Sequence, residues 1–229
     1  MAKRIVVAID GPAGAGKSTI ARRIAERLGF LYIDSGAMYR AVGLWALRLG
    51  VALTDAHRLE QLAREAHIEL RPEGKRVLLN GEDVTEAIRT PEISQAASMV
   101  STIPAVRRAM VAEQRRMSTE ASVVMEGRDI GTVVFPDAGI KIFLDADAGV
   151  RAERRMEEAA ERGERIDAEA MAREIAERDT RDRTRSEAPL VQALDAVYVD
   201  STGIGIEQVE EKILKLIRER TSNGKELTH

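Results

Sequence analysis

The stretch "GPAGAGKST", residues 11–19, places three glycines, one lysine and two hydroxyl side chains directly behind the apolar run "IVVAID". The spacing Gly11-x4-Gly16-Lys17-Ser18 is that of a P-loop, which works only when a strand enters it and a helix leaves it. Glycines let the backbone wrap a phosphate chain without side-chain clashes, and successive N–H groups then point inward. Lys17 adds a point charge at the outer phosphates. Ser18 can coordinate Mg2+, and the start of the following helix favours the anion. The nine residues Gly11, Pro12, Ala13, Gly14, Ala15, Gly16, Lys17, Ser18 and Thr19 are therefore the expected nucleotide cradle. A chain carrying this turn is committed to strand–loop–helix geometry near its start.

The rest of the sequence extends that geometry. Short apolar runs near 4–9, 30–34, 122–126, 140–145 and 196–201 read as buried strands, each ending in an acidic or small polar residue. Helical patterns separate most of them: "KSTIARRIAERL", a long charged stretch from about 148 to 185, and "IEQVEEKILKLIRER". Strand alternating with helix predicts an α/β fold with a parallel sheet covered on both faces. Ligands in such sheets bind beyond the carboxyl ends of the strands, where Asp10, Asp34, Glu126, Asp145 and Asp200 fall.

Residues 54–118 interrupt the alternation. "HIELRPEGKRVLLNGEDV" reads as a hairpin, with turn signals at 72–74 and at Asn80-Gly81, and two helices are expected after Pro91 and Pro104. The whole reads as one P-loop domain. Its core comprises about 1–53, 119–147 and 186–222, with an insertion over 54–118, a lid over 148–185 and a frayed tail at 223–229.

Composition narrows the function. There is no cysteine, which excludes a disulfide framework and thiolate metal sites and suits a reducing cytoplasm. The three histidines, His57, His67 and His229, are too scattered for a metal cluster. A formal net charge of −3 supplies no basic field for nucleic acid. No apolar run approaches the ~20 residues of a membrane span, and a strand within a few residues of Met1 is expected of a chain without a secretory leader.

A P-loop alone does not name a reaction. The guanine-reading NKxD of switch GTPases is missing, and an insertion that can close over an acceptor points to a small kinase. In "DSGAMYR" (34–40), Asp34 or Ser35 is a candidate helix cap ahead of Tyr39 and Arg40. "EGRDIGTVVFPDA" (126–138) sets Arg128 and Asp129 at the end of a strand expected beside the P-loop strand. "ERDTRDRTR" (177–185) puts Arg178, Arg181, Asp182 and Arg185 on one helical face. Arg151, Arg154, Arg155, Arg162 and Arg165 precede them. Guanidinium groups match phosphate oxygens, and phosphoryl transfer needs charge neutralisation more than covalent help. An adenylate, guanylate or shikimate kinase, or a slowly hydrolysing nucleotide switch, would share the P-loop.

Five motifs in order, "GPAGAGKST", "DSGAMYRA", "EGRDIGTVVFPDA", "KIFLDA" and "ERDTRDRTRSEAPL", resemble the bacterial cytidylate kinases over essentially the full chain. The resemblance implies a five-stranded parallel sheet with flanking helices, an enlarged monophosphate-binding insertion and a helical lid. It implies transfer of the γ-phosphoryl of ATP to CMP or dCMP with Mg2+, by a cytoplasmic enzyme of pyrimidine metabolism acting as a monomer on small nucleotides. By the same resemblance Ser35, Tyr39 and Arg40 line the monophosphate pocket, and Arg40 and Arg128 grip its phosphate. Ser98, Arg107, Asp129 and Arg185 reach the cytosine; Arg178 and Asp182 hold the ribose. Arg154 and Arg155, with Arg181, close on ATP phosphates. Lys17, Arg128, Arg154 and Arg181 are the expected catalytic set. Position 126 is Glu where some relatives carry Asp, which preserves the acid.

Overall fold

The computed structural model describes residues 4–71, 76–163 and 166–222. The turn expected at 72–74, Arg165 and the tail at 223–229 lie outside the described residues. The chain divides into two compact units, Met1–Phe30 with Ser122–His229, and Leu31–Ala121.

The strands β1 (Val6–Asp10), β2 (Leu31–Asp34), β6 (Val123–Gly127), β7 (Ile140–Asp145) and β8 (Val197–Asp200) form a five-stranded sheet in the order β2-β6-β1-β7-β8. Pairings β1–β6, β1–β7 and β7–β8 are all parallel. Every residue of β1 and β6 is buried, as expected for strands with neighbours on both edges and helices over both faces. The register sets Asp10 beside Gly127 and Phe143, and Asp145 beside Asp200, so the strands end together on one rim.

In the first unit, helix α1 (Lys17–Leu28) buries Ile20, Ala21, Ile24 and Ala25 on one face. It stops at Gly29, where Phe30 N–H returns to the Ala25 carbonyl at 2.9 Å. Helix α8 (Ile206–Ser222) packs on it through Val209, Ile213, Leu214 and Ile217. The buried Glu210 takes Arg23 and Arg27 across that contact. The charged stretch over about 148–185, read as helical in pattern, holds two helices, α6 (Ala148–Glu161) and α7 (Ala168–Thr184). They pack together through Ala152, Met171 and Ile175. α6 ends where Gly163 takes a φ of 78°.

The second unit begins with β2 and α2 (Ser35–Arg48), then α3 (Ala56–Glu65). Strands β3 (Ile68–Arg71), β4 (Arg76–Leu79) and β5 (Glu82–Asp83) follow as an antiparallel sheet. Its second turn is the Asn80-Gly81 pair, with φ of 52° and 85°. A short 3-10 turn at Ala87–Arg89 leads to α4 (Pro91–Val100) and α5 (Pro104–Met117). Both helices start on the prolines the sequence singled out, and Thr90 caps α4. α2 packs on α4, and α3 on α5.

Candidate active site

The P-loop leaves β1 at Asp10 and enters α1 at Lys17. Gly11 has a φ of 151°, and a Cβ there would overlap the Leu144 carbonyl oxygen. At Gly14, with φ 76°, a Cβ would sit 2.8 Å from the backbone oxygen of Arg151. Neither position accepts a side chain without displacing the backbone around it. Gly16 precedes α1 with no side-chain cap, which leaves the first-turn N–H groups open to an anion. Ser18 and Thr19 are exposed there. Lys17 is buried and donates to the Pro12 carbonyl at 2.7 Å. Burial first, and then the nearby Arg128 charge, push its ammonium down to about 7.

Five further charged residues of the first unit gather at the end of β6. Arg128 Nε donates to Asp182 Oδ2 at 2.8 Å, with side chains 17% and 7% exposed. Burial disfavours the charge on both, but Arg128 stays cationic because Asp182, Glu126 and Asp179 together outweigh that cost. The Asp182 carboxyl lies below its ordinary range because Arg128, Arg178 and Arg185 outweigh its burial. Arg185 Nη2 lies 3.6 Å from Asp129 Oδ1. So Arg128, Asp129, Arg178, Asp182 and Arg185 lie together. One detail is corrected: Arg185 is not on the helical face, because α7 ends at Thr184 and Arg185 is its extended C-cap. The chain then turns back, and the Leu190 N–H closes on the Asp182 carbonyl.

Of the lid arginines, Arg154 donates to the Ser201 hydroxyl and carbonyl at 3.0 and 2.8 Å, with Nη1 close by Gly16. Arg155 instead pairs outward with Glu158, and Arg181 donates to the Glu177 carbonyl of its own helix. Neither is brought to the P-loop by these contacts.

In the second unit, Asp34 is the cap of α2, accepting from Ala37 N–H, and Ser35 is the first helical residue. Asp34 also takes Arg40 Nη2 at 2.9 Å, holding the guanidinium beside the start of the helix. Tyr39 and Arg107 are buried, with the guanidinium carbon 5.7 Å from the ring centroid. Arg107 also donates to the Ser101 carbonyl, while its neighbour Arg108 is exposed. Ser98 is buried in α4 and its hydroxyl finds no partner among the described residues. A buried hydroxyl left so is costly unless a ligand or water completes it.

Two residues do more than their sequence positions suggested. Asp10 accepts the Ile130 and Gly131 N–H groups, both at 2.7 Å, and so pins the π-helical turn Ile130–Val134 that follows Asp129. Burial raises its carboxyl to about 6. Arg151 donates to the Ala13 carbonyl, to the Ala146 carbonyl and to Asp179, clamping the P-loop to α6 and α7. The signal for Asp10 was its place directly before Gly11 at a strand end. Nothing set Arg151 apart from the other arginines of its run.

A family model for cytidylate kinase matches residues 7–219. A cytidylate kinase from Solibacter usitatus is 60% identical over 228 residues, covering 99% of this chain and 97% of the relative. Those from Pelotomaculum thermopropionicum and Geobacillus kaustophilus are 53% and 50% identical, each over 222 residues, covering 96% of this chain and 96% and 99% of theirs. Among solved structures, an uncharacterized protein from Eubacterium ventriosum shares the fold, with a TM-score of 0.52 and 14% identity, covering 93% of this chain and 98% of that one. The full-length match and the charge cluster beside the P-loop lead to one conclusion: this chain belongs to the cytidylate kinase family.

Proposed function

We propose that the protein transfers the γ-phosphoryl group of ATP to CMP, and also to dCMP, as a cytoplasmic monomer that supplies pyrimidine diphosphates. Family membership supports ATP-dependent phosphorylation of CMP. The observation that carries the site assignment is that Lys17 and Arg128 share one buried charge cluster at the ends of β1 and β6.

The acceptor needs no general base. Its phosphate has a second pKa of about 6 and is already a dianion at neutral pH. One of its oxygens attacks the γ-phosphorus, the bond to the ADP oxygen breaks, and CDP and ADP leave. Because two anions must meet, the residues' work is screening and alignment. Lys17 leaves the Pro12 carbonyl for the outer phosphates. Arg128 and Arg40 grip the acceptor phosphate, and each is already held by a carboxylate that fixes its orientation. Arg178 and Asp182 take the ribose. Arg154, with Arg155 and Arg181 after movement of α6 and α7, neutralises ATP phosphates as the segment 148–185 closes as a lid and excludes water. Residues 54–118 act as the monophosphate-binding insertion.

Cytosine presents an amino donor at N4 where uracil presents an acceptor. Asp129 accepts from that amine. The unsatisfied hydroxyl of Ser98, together with Ser35, Tyr39 and Arg107, completes the monophosphate pocket. Mg2+ suits Ser18, a hard oxygen exposed at the first turn of α1. Since no group of three or more metal-binding side chains gathers among the described residues, the ion's other ligands would be phosphates and water. When bound, it supplies charge screening between the reacting phosphates.

A coupled assay of ADP formation tests this reading, with CMP, dCMP, UMP, AMP and shikimate as acceptors. CMP and dCMP are expected to turn over fastest, and Lys17→Ala and Arg128→Ala each to cut turnover by orders of magnitude in folded protein. ADP formation indifferent to CMP would overturn the proposal.

A further inference from the structure

The described residues include two non-glycine positions with positive φ, Asn80 and Ala188. Asn80 lies in a hairpin turn, where asparagine is an ordinary choice. Ala188 has a φ of 51° in "RSEAPL", with no side chain able to compensate. Alanine disfavours this left-handed region, and Pro189 pushes the residue before it toward extended backbone. Such a conformation persists only where its surroundings hold it, and it concentrates where it serves a site.

Two hydrogen bonds hold this one. Leu190 N–H donates to the Asp182 carbonyl at 2.8 Å, which closes the end of α7. That bond is structural. The other is aimed at a side chain: Arg185 Nε donates to the Ala188 carbonyl at 2.6 Å. Arg185 and Asp129 are almost fully buried, 3% and 8% exposed at their side chains, and face each other at 3.6 Å. A guanidinium is a rigid planar fork. Tying Nε to a fixed carbonyl fixes the plane in which its remaining donors lie, and so the side from which Asp129 is approached.

We propose that the Ala188 carbonyl is a positioning group for base selection. It is held in place by a strained turn and orients Arg185 so that Arg185 in turn orients Asp129. Ala188 touches no substrate in this scheme. The inference rests on the assignment of Asp129 and Arg185 to the cytosine end of the acceptor.

The test is steady-state kinetics with CMP and UMP, alongside thermal unfolding, for wild type, Ala188→Gly, Ala188→Val, Arg185→Lys and the Ala188→Val/Arg185→Lys double variant. Glycine adopts positive φ freely, so Ala188→Gly is expected to keep the wild-type KM for CMP and the preference over UMP. Valine resists positive φ and releases the carbonyl. Ala188→Val is then expected to raise the KM for CMP about tenfold, the scale of one lost charge-assisted hydrogen bond. The CMP-over-UMP ratio should narrow, with the KM for ATP unchanged. In the Arg185→Lys background the valine substitution should add nothing further. Ala188→Ser, with a milder backbone conflict, should show the same direction at smaller size and serves where the valine variant does not fold. A lowered melting temperature with an unchanged CMP-over-UMP ratio would reduce the turn to a structural role, as would additivity with Arg185→Lys. Absence of CMP turnover in the wild type would instead overturn the functional reading itself.

Discussion

Removing the Asp182 carboxylate should expose how much of the first unit rests on one ion pair. The side chain accepts from Arg128 Nε at 2.8 Å, and Arg178 and Arg185 add their charges to it. Asp182→Ala leaves these three guanidinium groups without their shared counter-charge, and burial already disfavours the charge on Arg128. Breaking a buried pair from one side costs about 3–5 kcal/mol. Arg128 is 17% exposed, so water can partly reach it, and the lower end, about 3 kcal/mol, applies. With a urea slope of about 2–3 kcal/mol/M, the midpoint should fall by about 1–1.5 M. Arg128→Ala should cost less than Asp182→Ala, because Arg178 and Arg185 still neutralise the carboxylate. The double variant should be less destabilised than the sum of the two, by about 2 kcal/mol. The sign of the pH dependence also follows. Because the folded-state carboxyl lies below its ordinary value of 3.8, its contribution is complete above that pH and disappears only as the pH falls further. A midpoint for Asp182→Ala within 0.3 M of wild type, or strict additivity in the cycle, would refute the view that this cluster is an interdependent unit.

Lys17, pushed down to about 7, should take up a proton when ATP arrives at pH 8, because the triphosphate favours the ammonium form. Calorimetry in buffers of different ionisation enthalpy should show uptake at pH 8 and little at pH 6; equal heats in all buffers at pH 8 would contradict this. Gly14→Ala should raise the KM for ATP by at least about tenfold while leaving CMP binding little changed, since the added carbon meets the Arg151 backbone at 2.8 Å and must displace the loop. A Gly14→Ala enzyme with wild-type ATP kinetics would show that the loop absorbs the clash. Asp129→Ala should narrow the preference for CMP over UMP, read from the ratio of kcat/KM values; an unchanged ratio would move base selection elsewhere, with Ser98 the next candidate.

The P-loop was legible because its chemistry is local. Gly11, Gly14 and Gly16 turn the chain within six residues, and the strand before and helix after are required by the same motif. The proline-started helices α4 and α5 and the Asn80-Gly81 turn were equally readable, since backbone restriction acts on the residue that carries it. The break between α6 and α7 was not. Continuous charge over 148–185 looks the same whether one helix or two runs through it, and their packing through Ala152, Met171 and Ile175 separates them.

The sequence by itself determined a phosphate-binding α/β fold, because main-chain geometry and burial period are written residue by residue. Which charges answer one another was decided by tertiary structure alone. Asp182 sits at helical spacing from Arg178, yet its hydrogen-bonded partner is Arg128, 54 residues away. Arg151 was one arginine of a run, and only the approach of α6 to the P-loop makes it a clamp on Ala13. Electrostatic interaction depends on distance and desolvation in three dimensions, and neither quantity exists until the strands and helices have packed.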